Sequence, residues 1–241
     1  MKRKFLLVLT LGVALLVTYT SCNLKSGNKT EEKATFNQEV FNQQIQGVLE
    51  YLPPNQGLAA NFDNHFIFIF GDSDSTMVSQ MGTYKTTGDT VIYTTLYSSN
   101  PELVGTVIRW SADFTNSDSI KVVIFDESGN ISMELYNRWK AKLDDNTISQ
   151  LKKFEGSYKY ASGRGGGIIL SGYGIYITQS GGAGIYEEKN DTVIFKRLFS
   201  TDPELIGTEL TWVNESRTGD TLNWAVINKT GEVVSTGQSL Y

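Results

Sequence analysis

The chain contains an internal duplication, and this feature constrains its fold more than any other. Residues 82–110 align with residues 184–212 at an offset of 102, with 14 identities in 29 positions, where chance would give about two. The matched pairs include Tyr84 with Tyr186, Pro101 with Pro203 and Trp110 with Trp212. Upstream, Gly47 aligns with Gly156 at an offset of 109. The 241 residues are therefore expected to hold two similar domains of about 100 residues each.

Within each copy, apolar residues alternate with a period of two. Such a run is formed by Ile120, Val122 and Ile124 in the first copy and by Leu222, Trp224 and Val226 in the second. Similar runs recur about every twelve residues and end in turn-forming residues, which is typical of about eight short antiparallel strands per copy. Consecutive hairpin-linked strands close most simply into an up-and-down barrel, since closure leaves no exposed edges. The predicted fold is all-β, with two tandem up-and-down antiparallel β-barrels.

A short helix is predicted ahead of each barrel. Thr35 and Gln38 have the spacing of a capping box, and Phe36, Val40 and Ile45 form an apolar stripe behind them. Residues 146–154 are predicted to form the equivalent helix of the second copy. The predicted domains are residues 36–140 and residues 141–241.

The N-terminus has the pattern of a secretory signal. Three basic residues at positions 2–4 precede an apolar stretch at 5–17, which is too short for a confident membrane span. Ser21 lies directly before Cys22, the only cysteine, and this pair resembles a bacterial lipoprotein processing site. The resemblance implies a signal peptide at 1–21, a diacylated Cys22 and a polar tether at 22–35. The alternative is an ordinary signal peptide or signal anchor, with Cys22 lost or an idle thiol.

Composition and charge exclude several classes of function. With one His and one Cys, the chain lacks the residues for a His/Cys zinc site or a disulfide, and we expect no metal, cofactor or catalytic residue. The net charge is −5, and it becomes −8 when residues 1–21 are removed with their three basic side chains. An acidic body argues against nucleic-acid binding. It would also be repelled by anionic lipids, so the lipid on Cys22 would hold it to the outer membrane, on the periplasmic or surface side.

A glycine-rich stretch occurs in the second copy at residues 163–167. It lacks the Lys-Ser/Thr pair and the following helix of a phosphate-binding loop, so nucleotide binding is not predicted. Glycine in small barrels more often marks tight bends and bulges.

The two copies differ in the size of the residues predicted to fill their barrels. The first copy has Phe66, Phe68 and Phe70 where the second has Ile168, Leu170 and Gly172 or their neighbours. We therefore expect a solidly packed first barrel and a cavity in the second. The predicted ligand-binding residues are Tyr158, Tyr173, Tyr176, Phe195, Trp212 and Trp224. The alternative is that large residues elsewhere, such as Trp224 in place of Val122, fill the lost volume.

Several short motifs occur in the same order in both copies. A short helix leads to a first strand that begins with glycine, at Gly47 and Gly156, followed by an Asp-Thr turn at 88–90 and 190–192. A Pro-Glu-Leu-Val/Ile-Gly-Thr loop then occurs at 101–106 and 203–208. This order resembles the lipocalin-like domains of Bacteroidetes secreted proteins and lipoproteins. The resemblance implies a calycin-type barrel for a small ligand, although the first-strand Trp of lipocalins is replaced here by Leu49 and Tyr158.

Three functions follow as expectations. The first is a lipid-anchored envelope protein that binds a small apolar or amphipathic ligand, or a glycan, without catalysis. The second is a calycin-type isomerase or cyclase, which would need an inward titratable side chain such as Lys196 or Arg197. The third is a structural or accessory subunit of an envelope complex. In that case the strand at 66–70, apolar on both faces, would be covered by the other barrel or by a partner protein.

Overall fold

The computed structural model describes residues 36–114, 119–143, 154–178, 180–190, 192–228 and 230–240, without the side chains of Asn214, Glu215 and Arg217. The predicted signal peptide, the tether and Cys22 lie outside the described residues. All elements described below belong to one compact unit, Phe36–Tyr241.

Eight strands of the first copy form a closed antiparallel barrel. They are β1 (Gly47–Tyr51), β2 (Gln56–Phe62), β3 (His65–Gly71), β4 (Val78–Thr87), β5 (Thr90–Ser98), β6 (Val107–Asp113), β7 (Ile120–Phe125) and β8 (Ile131–Lys142). Each strand pairs with the next in the chain, and β8 pairs back onto β1. Strand β8 ends at Lys142, two residues after the predicted end of the first domain at residue 140.

The second copy repeats this topology. Its strands are β9 (Gly156–Tyr160), β10 (Gly166–Leu170), β11 (Tyr173–Ile177), β12 (Gly181–Lys189), β13 (Thr192–Ser200), β14 (Glu209–Thr218), β15 (Thr221–Ile227) and β16 (Val233–Leu240). They close into a second barrel through the pairing of β16 with β9. The prediction of two tandem eight-stranded antiparallel barrels is confirmed.

The described residues include one α-helix, α1 (Gln38–Gln44), whose buried face packs against the core of the first barrel. Its N-cap is Asn37, whose side chain accepts hydrogen bonds from the backbone N–H groups of Glu39 and Val40, so the predicted capping box at Thr35 is wrong. The buried face consists of Phe41 and Ile45, which are four residues apart. Phe36 and Val40 are exposed. The helix predicted at 146–154 lies outside the described residues except for Phe154, which is buried.

The two barrels pack through equivalent strands, with β2, β3 and β4 against β10, β11 and β12. Because side chains alternate along β3, Phe66 faces the interior of the first barrel while Ile67 and Ile69 face the second barrel. Ile175 and Ile177 of β11 belong to the same buried cluster. The second barrel therefore covers the outer apolar face of β3. Coverage by the other barrel and coverage by a partner protein were the two alternatives for this strand.

Candidate ligand-binding site

The second barrel contains a partly open cavity of about 210 Å³. This is the volume of roughly seven water molecules in the liquid. Pockets for drug-sized ligands are larger, at about 300 to 1,000 Å³. The cavity therefore suits a small molecule with a short chain or a single ring.

The two ends of this cavity differ in polarity. Near the end where β10 joins β11, its walls are apolar and are formed by Phe154, Ile169, Val193 and Leu222. Near the opposite end, where β11 joins β12, they carry Thr178, Ser180, Arg197 and Ser235. The cavity is thus amphipathic along the barrel axis.

Three cavity-lining rings lie opposite glycines on neighbouring strands. Tyr158 pairs with Gly167, Tyr176 with Gly182 and Trp224 with Gly237. A Cβ atom at these glycines would lie 2.5 Å from the Tyr158 hydroxyl, 2.6 Å from the Tyr176 ring and 2.2 Å from the Trp224 ring. At these three positions glycine makes room for an aromatic ring, which differs from the predicted role in bends and bulges.

The first barrel has a different residue pair at each of these places. Its cross-strand pairs are Leu49 with Ala59, Phe68 with Gln80, and Val122 with Leu135. In each of these pairs a side chain replaces the glycine, and at two of the three the large ring is replaced by a smaller aliphatic residue, so volume is redistributed between neighbours. The first barrel also contains a partly open cavity, of about 180 Å³. The expectation that it would be packed solid is wrong.

The predicted alignment of the filling residues is also corrected. The register of β3 with β4 and of β11 with β12 places Phe66 and Gly174 at equivalent positions, so Tyr176 corresponds to Phe68. The first copy's extra residues lie mainly between β3 and β4, around a 3₁₀ turn at Asp74–Thr76. An offset of 102 therefore does not hold before β4.

Of the six predicted binding residues, Tyr158, Tyr176, Trp212 and Trp224 line the cavity. Phe195 is fully buried behind them, with its ring stacked on Trp212 at a centroid distance of 5.8 Å. Tyr173 lies outside the barrel and packs against the cluster between the two barrels. Placing Tyr173 in the cavity was wrong, because Tyr176 faces inward and residues three apart on a strand face opposite sides.

Arg197 is the charged residue of the cavity wall. The residue is only 8% exposed. Its Nε donates a hydrogen bond to the Tyr176 hydroxyl at 2.6 Å, and its Nη1 donates one to Thr208 Oγ1. Lys196 is exposed on the outer face. The alternation of β13 indicates that Arg197 faces inward, since it shares a face with Val193 and Phe195. Arg197 was nevertheless not included among the predicted binding residues.

Two of the three tyrosines that line the cavity, Tyr160 and Tyr176, stay protonated at neutral pH. Burial raises the pKa of Tyr176, although the neighbouring positive charge of Arg197 opposes this shift. Burial also raises the pKa of Tyr160. Among the described residues lining the cavity there is no Asp, Glu, His or Cys. The site therefore offers one cation and neutral hydroxyl groups to a ligand.

The fold and the site define a closed β-barrel protein with an internal amphipathic cavity. The chain matches no model of a known protein family, and a comparison with curated proteins found no match either. Within the described ranges, no helix has the length and apolar character needed to cross a membrane. That part of the chain also contains no group of three or more His, Cys, Asp and Glu side chains able to hold a metal ion.

Proposed function

We propose that this chain is a lipid-anchored protein of a bacterial envelope that binds a small amphipathic ligand in its second barrel without transforming it. The observation that carries this proposal is the cavity of about 210 Å³ with apolar walls at one end and Arg197 with hydroxyl groups at the other. Binding of this kind needs shape and a few placed polar groups, and the second barrel has both. The resemblance to lipocalin-like domains points in the same direction.

The chemistry of the walls favours binding over catalysis. An isomerase or cyclase needs a base that can accept a proton from the ligand. Arg197 and the protonated Tyr176 are donors, and the described walls offer no carboxylate or imidazole. The apolar outer face of β3 gives the accessory-subunit alternative no separate support, because the second barrel covers this face and no partner protein is needed there.

Ligand binding is tested on residues 23–241, which contain the whole compact unit. The protein is purified from its source organism, and co-purifying molecules are identified by native mass spectrometry and solvent extraction. We expect one small amphiphile per chain. Recovery of an empty protein that also fails to bind small amphiphiles, including octanoate and octan-1-ol, would contradict the proposal.

Two equivalent substitutions distinguish the barrels. Val226 lines the second cavity and Ile124 lines the first. Val226→Phe adds volume to the second cavity and is expected to abolish binding. Ile124→Phe makes the matched change in the first barrel and is expected to leave binding intact. The reverse result would place the ligand in the first barrel and contradict the assignment of the site.

The lipid anchor has its own test. Full-length chain is produced in bacteria fed with an alkyne-labelled fatty acid, and the label is followed on a gel. The natural sequence is expected to become labelled and to fractionate with the outer membrane, while Cys22→Ala is expected to remain unlabelled. Equal labelling of both proteins, or of neither, would contradict lipidation at Cys22.

A further inference from the structure

We propose that the ligand is a small carboxylic acid with an apolar tail, and that Arg197 binds its carboxylate. This inference rests on the proposed function and specifies the ligand's chemical class. It comes from the side chains around Arg197, the difference between the two barrels at this point, and the polarity of the cavity.

Some N–H donors of Arg197 remain available to a ligand. An arginine side chain has five N–H donors, and within the described residues those of Arg197 make two hydrogen bonds, to Tyr176 and Thr208. Three N–H groups therefore remain for a ligand in the cavity that Arg197 lines. A planar guanidinium group matches a carboxylate well, because two parallel N–H groups can bind its two oxygens.

No carboxylate of the described part of the chain pairs with this charge. The ion pairs described involve Glu50 and Glu134 on the first barrel. Both hydrogen-bond partners of Arg197 are neutral hydroxyl groups. Since burying a charge without a counter-charge is unfavourable, an anionic ligand would supply the missing partner.

The first barrel places neutral groups at the equivalent point. Thr95 corresponds to Arg197, and its hydroxyl donates a hydrogen bond to Gln80 Oε1 at 2.8 Å. The residue equivalent to Gln80 is Gly182, which leaves room for the Tyr176 ring. The Tyr176 hydroxyl then accepts the hydrogen bond that orients the guanidinium group. At these equivalent positions, the second barrel therefore has a positioned cation and the first barrel does not.

The polarity and the volume of the remaining cavity indicate the chemistry of the rest of the ligand. From Arg197 the interior leads to the apolar walls formed by Ile169, Val193 and Leu222. A volume of about 210 Å³ limits the tail to a medium-length chain or a single ring. A medium-chain fatty acid or a small aryl acid fits both the charge and the volume.

The test compares octanoate with octan-1-ol, which have the same chain length and differ in charge. Their binding to residues 23–241 is measured by isothermal titration calorimetry at low salt. We expect octanoate to bind about 10- to 100-fold more tightly, which is the range for hydrogen bonds to a charged group. Arg197→Thr, which copies the first barrel, is expected to abolish this preference. Arg197→Lys is expected to retain part of it, because the charge remains without the planar fork.

Arg164→Met is the matched control. Arg164 lies on the exposed loop after β9, at the same end of the barrel, so this variant removes one positive charge without altering the cavity wall. We expect it to retain the octanoate preference. Equal affinities of the unsubstituted protein for octanoate and octan-1-ol would overturn the carboxylate assignment and leave the binding function standing. Loss of the preference in Arg164→Met but not in Arg197→Thr would also overturn it. Binding of neither compound, nor of any other small amphiphile, would overturn the binding function itself.

Discussion

The indole of Trp224 lies over Gly237, its direct partner on the neighbouring strand, and a Cβ atom at Gly237 would come within 2.2 Å of Trp224 Cζ2. The ring also donates a hydrogen bond from Nε1 to Ser239 Oγ at 3.0 Å. The ring and the glycine thus form one packing unit, so a change in the size of one residue affects the packing of the other.

Gly237→Leu is expected to lower the free energy of unfolding by about 1–3 kcal/mol, the usual cost of overpacking. Trp224→Val with Gly237→Leu copies the Val122 and Leu135 pair of the first barrel and is expected to recover most of this loss. Urea denaturation of the single and double variants measures the recovery. A double variant as unstable as the sum of its single changes would contradict the paired-volume argument.

Much of the architecture follows from the sequence. Repeated motifs and period-two alternation predict two eight-stranded barrels, because the motifs can be compared directly between the two copies and the alternation is clear in strands such as β7 and β15. The cavity was harder to predict. Gly182 and Gly237 make room for the rings of Tyr176 and Trp224, and this role becomes visible only when the cross-strand pairs are known. The sequence constrains the register of those pairs only through the lengths of the loops.

A second packing unit joins the barrels. Ser79 and Gly181 occupy equivalent positions of the two copies and meet across the interface, where a Cβ atom at Gly181 would lie 2.4 Å from the Ser79 Cβ. The two residues make equivalent hydrogen bonds: the N–H of Ser79 donates to Ser99 Oγ and that of Gly181 to Thr201 Oγ1, and each carbonyl accepts from the N–H of the same partner. Equivalent residues that meet in this way are typical of an interface that joins two identical surfaces.

Gly181→Ser is expected to destabilise the protein by about 1–3 kcal/mol, because two side chains would occupy one space. The exchange Ser79→Gly with Gly181→Ser moves the side chain to the other copy and is expected to restore most of the stability. Ser79→Gly alone removes a buried hydroxyl that has no hydrogen-bond partner among the described residues, so its cost is expected to be small. A double-mutant cycle in urea measures the coupling, and additive effects would contradict direct contact.

A polar chain inside the first barrel gives a third prediction. The Tyr93 hydroxyl donates to Asn61 Oδ1 at 2.5 Å, and Asn61 Nδ2 donates to the Ile45 carbonyl at 3.0 Å. The second barrel has Phe195 and Ile169 at the positions of Tyr93 and Asn61. Asn61→Ile alone leaves two buried groups unpaired and is expected to cost about 1–3 kcal/mol.

Tyr93→Phe with Asn61→Ile copies the apolar pair of the second barrel. The double variant is expected to cost less than the sum of the single changes, because the phenol no longer needs an acceptor. Thermal and urea unfolding of the four proteins measure this difference. If the double variant loses as much as the two single variants together, the hydrogen bond between Tyr93 and Asn61 contributes nothing measurable.

Alkaline pH is expected to destabilise the protein through Tyr84. Burial is the main cause that raises the pKa of Tyr84 to about 12, and the nearby charge of Asp63 adds to it. An unfolded tyrosine loses its proton near pH 10. Above that pH the unfolded state releases a proton that the folded state retains, so the free energy of unfolding falls by about 1 kcal/mol per pH unit until the folded group also titrates. Urea denaturation at pH 9, 10 and 11 is expected to show a shallower fall for Tyr84→Phe than for the unsubstituted protein. Parallel pH dependence of the two proteins above pH 10 would show that Tyr84 titrates alike in the folded and unfolded states, contrary to its burial.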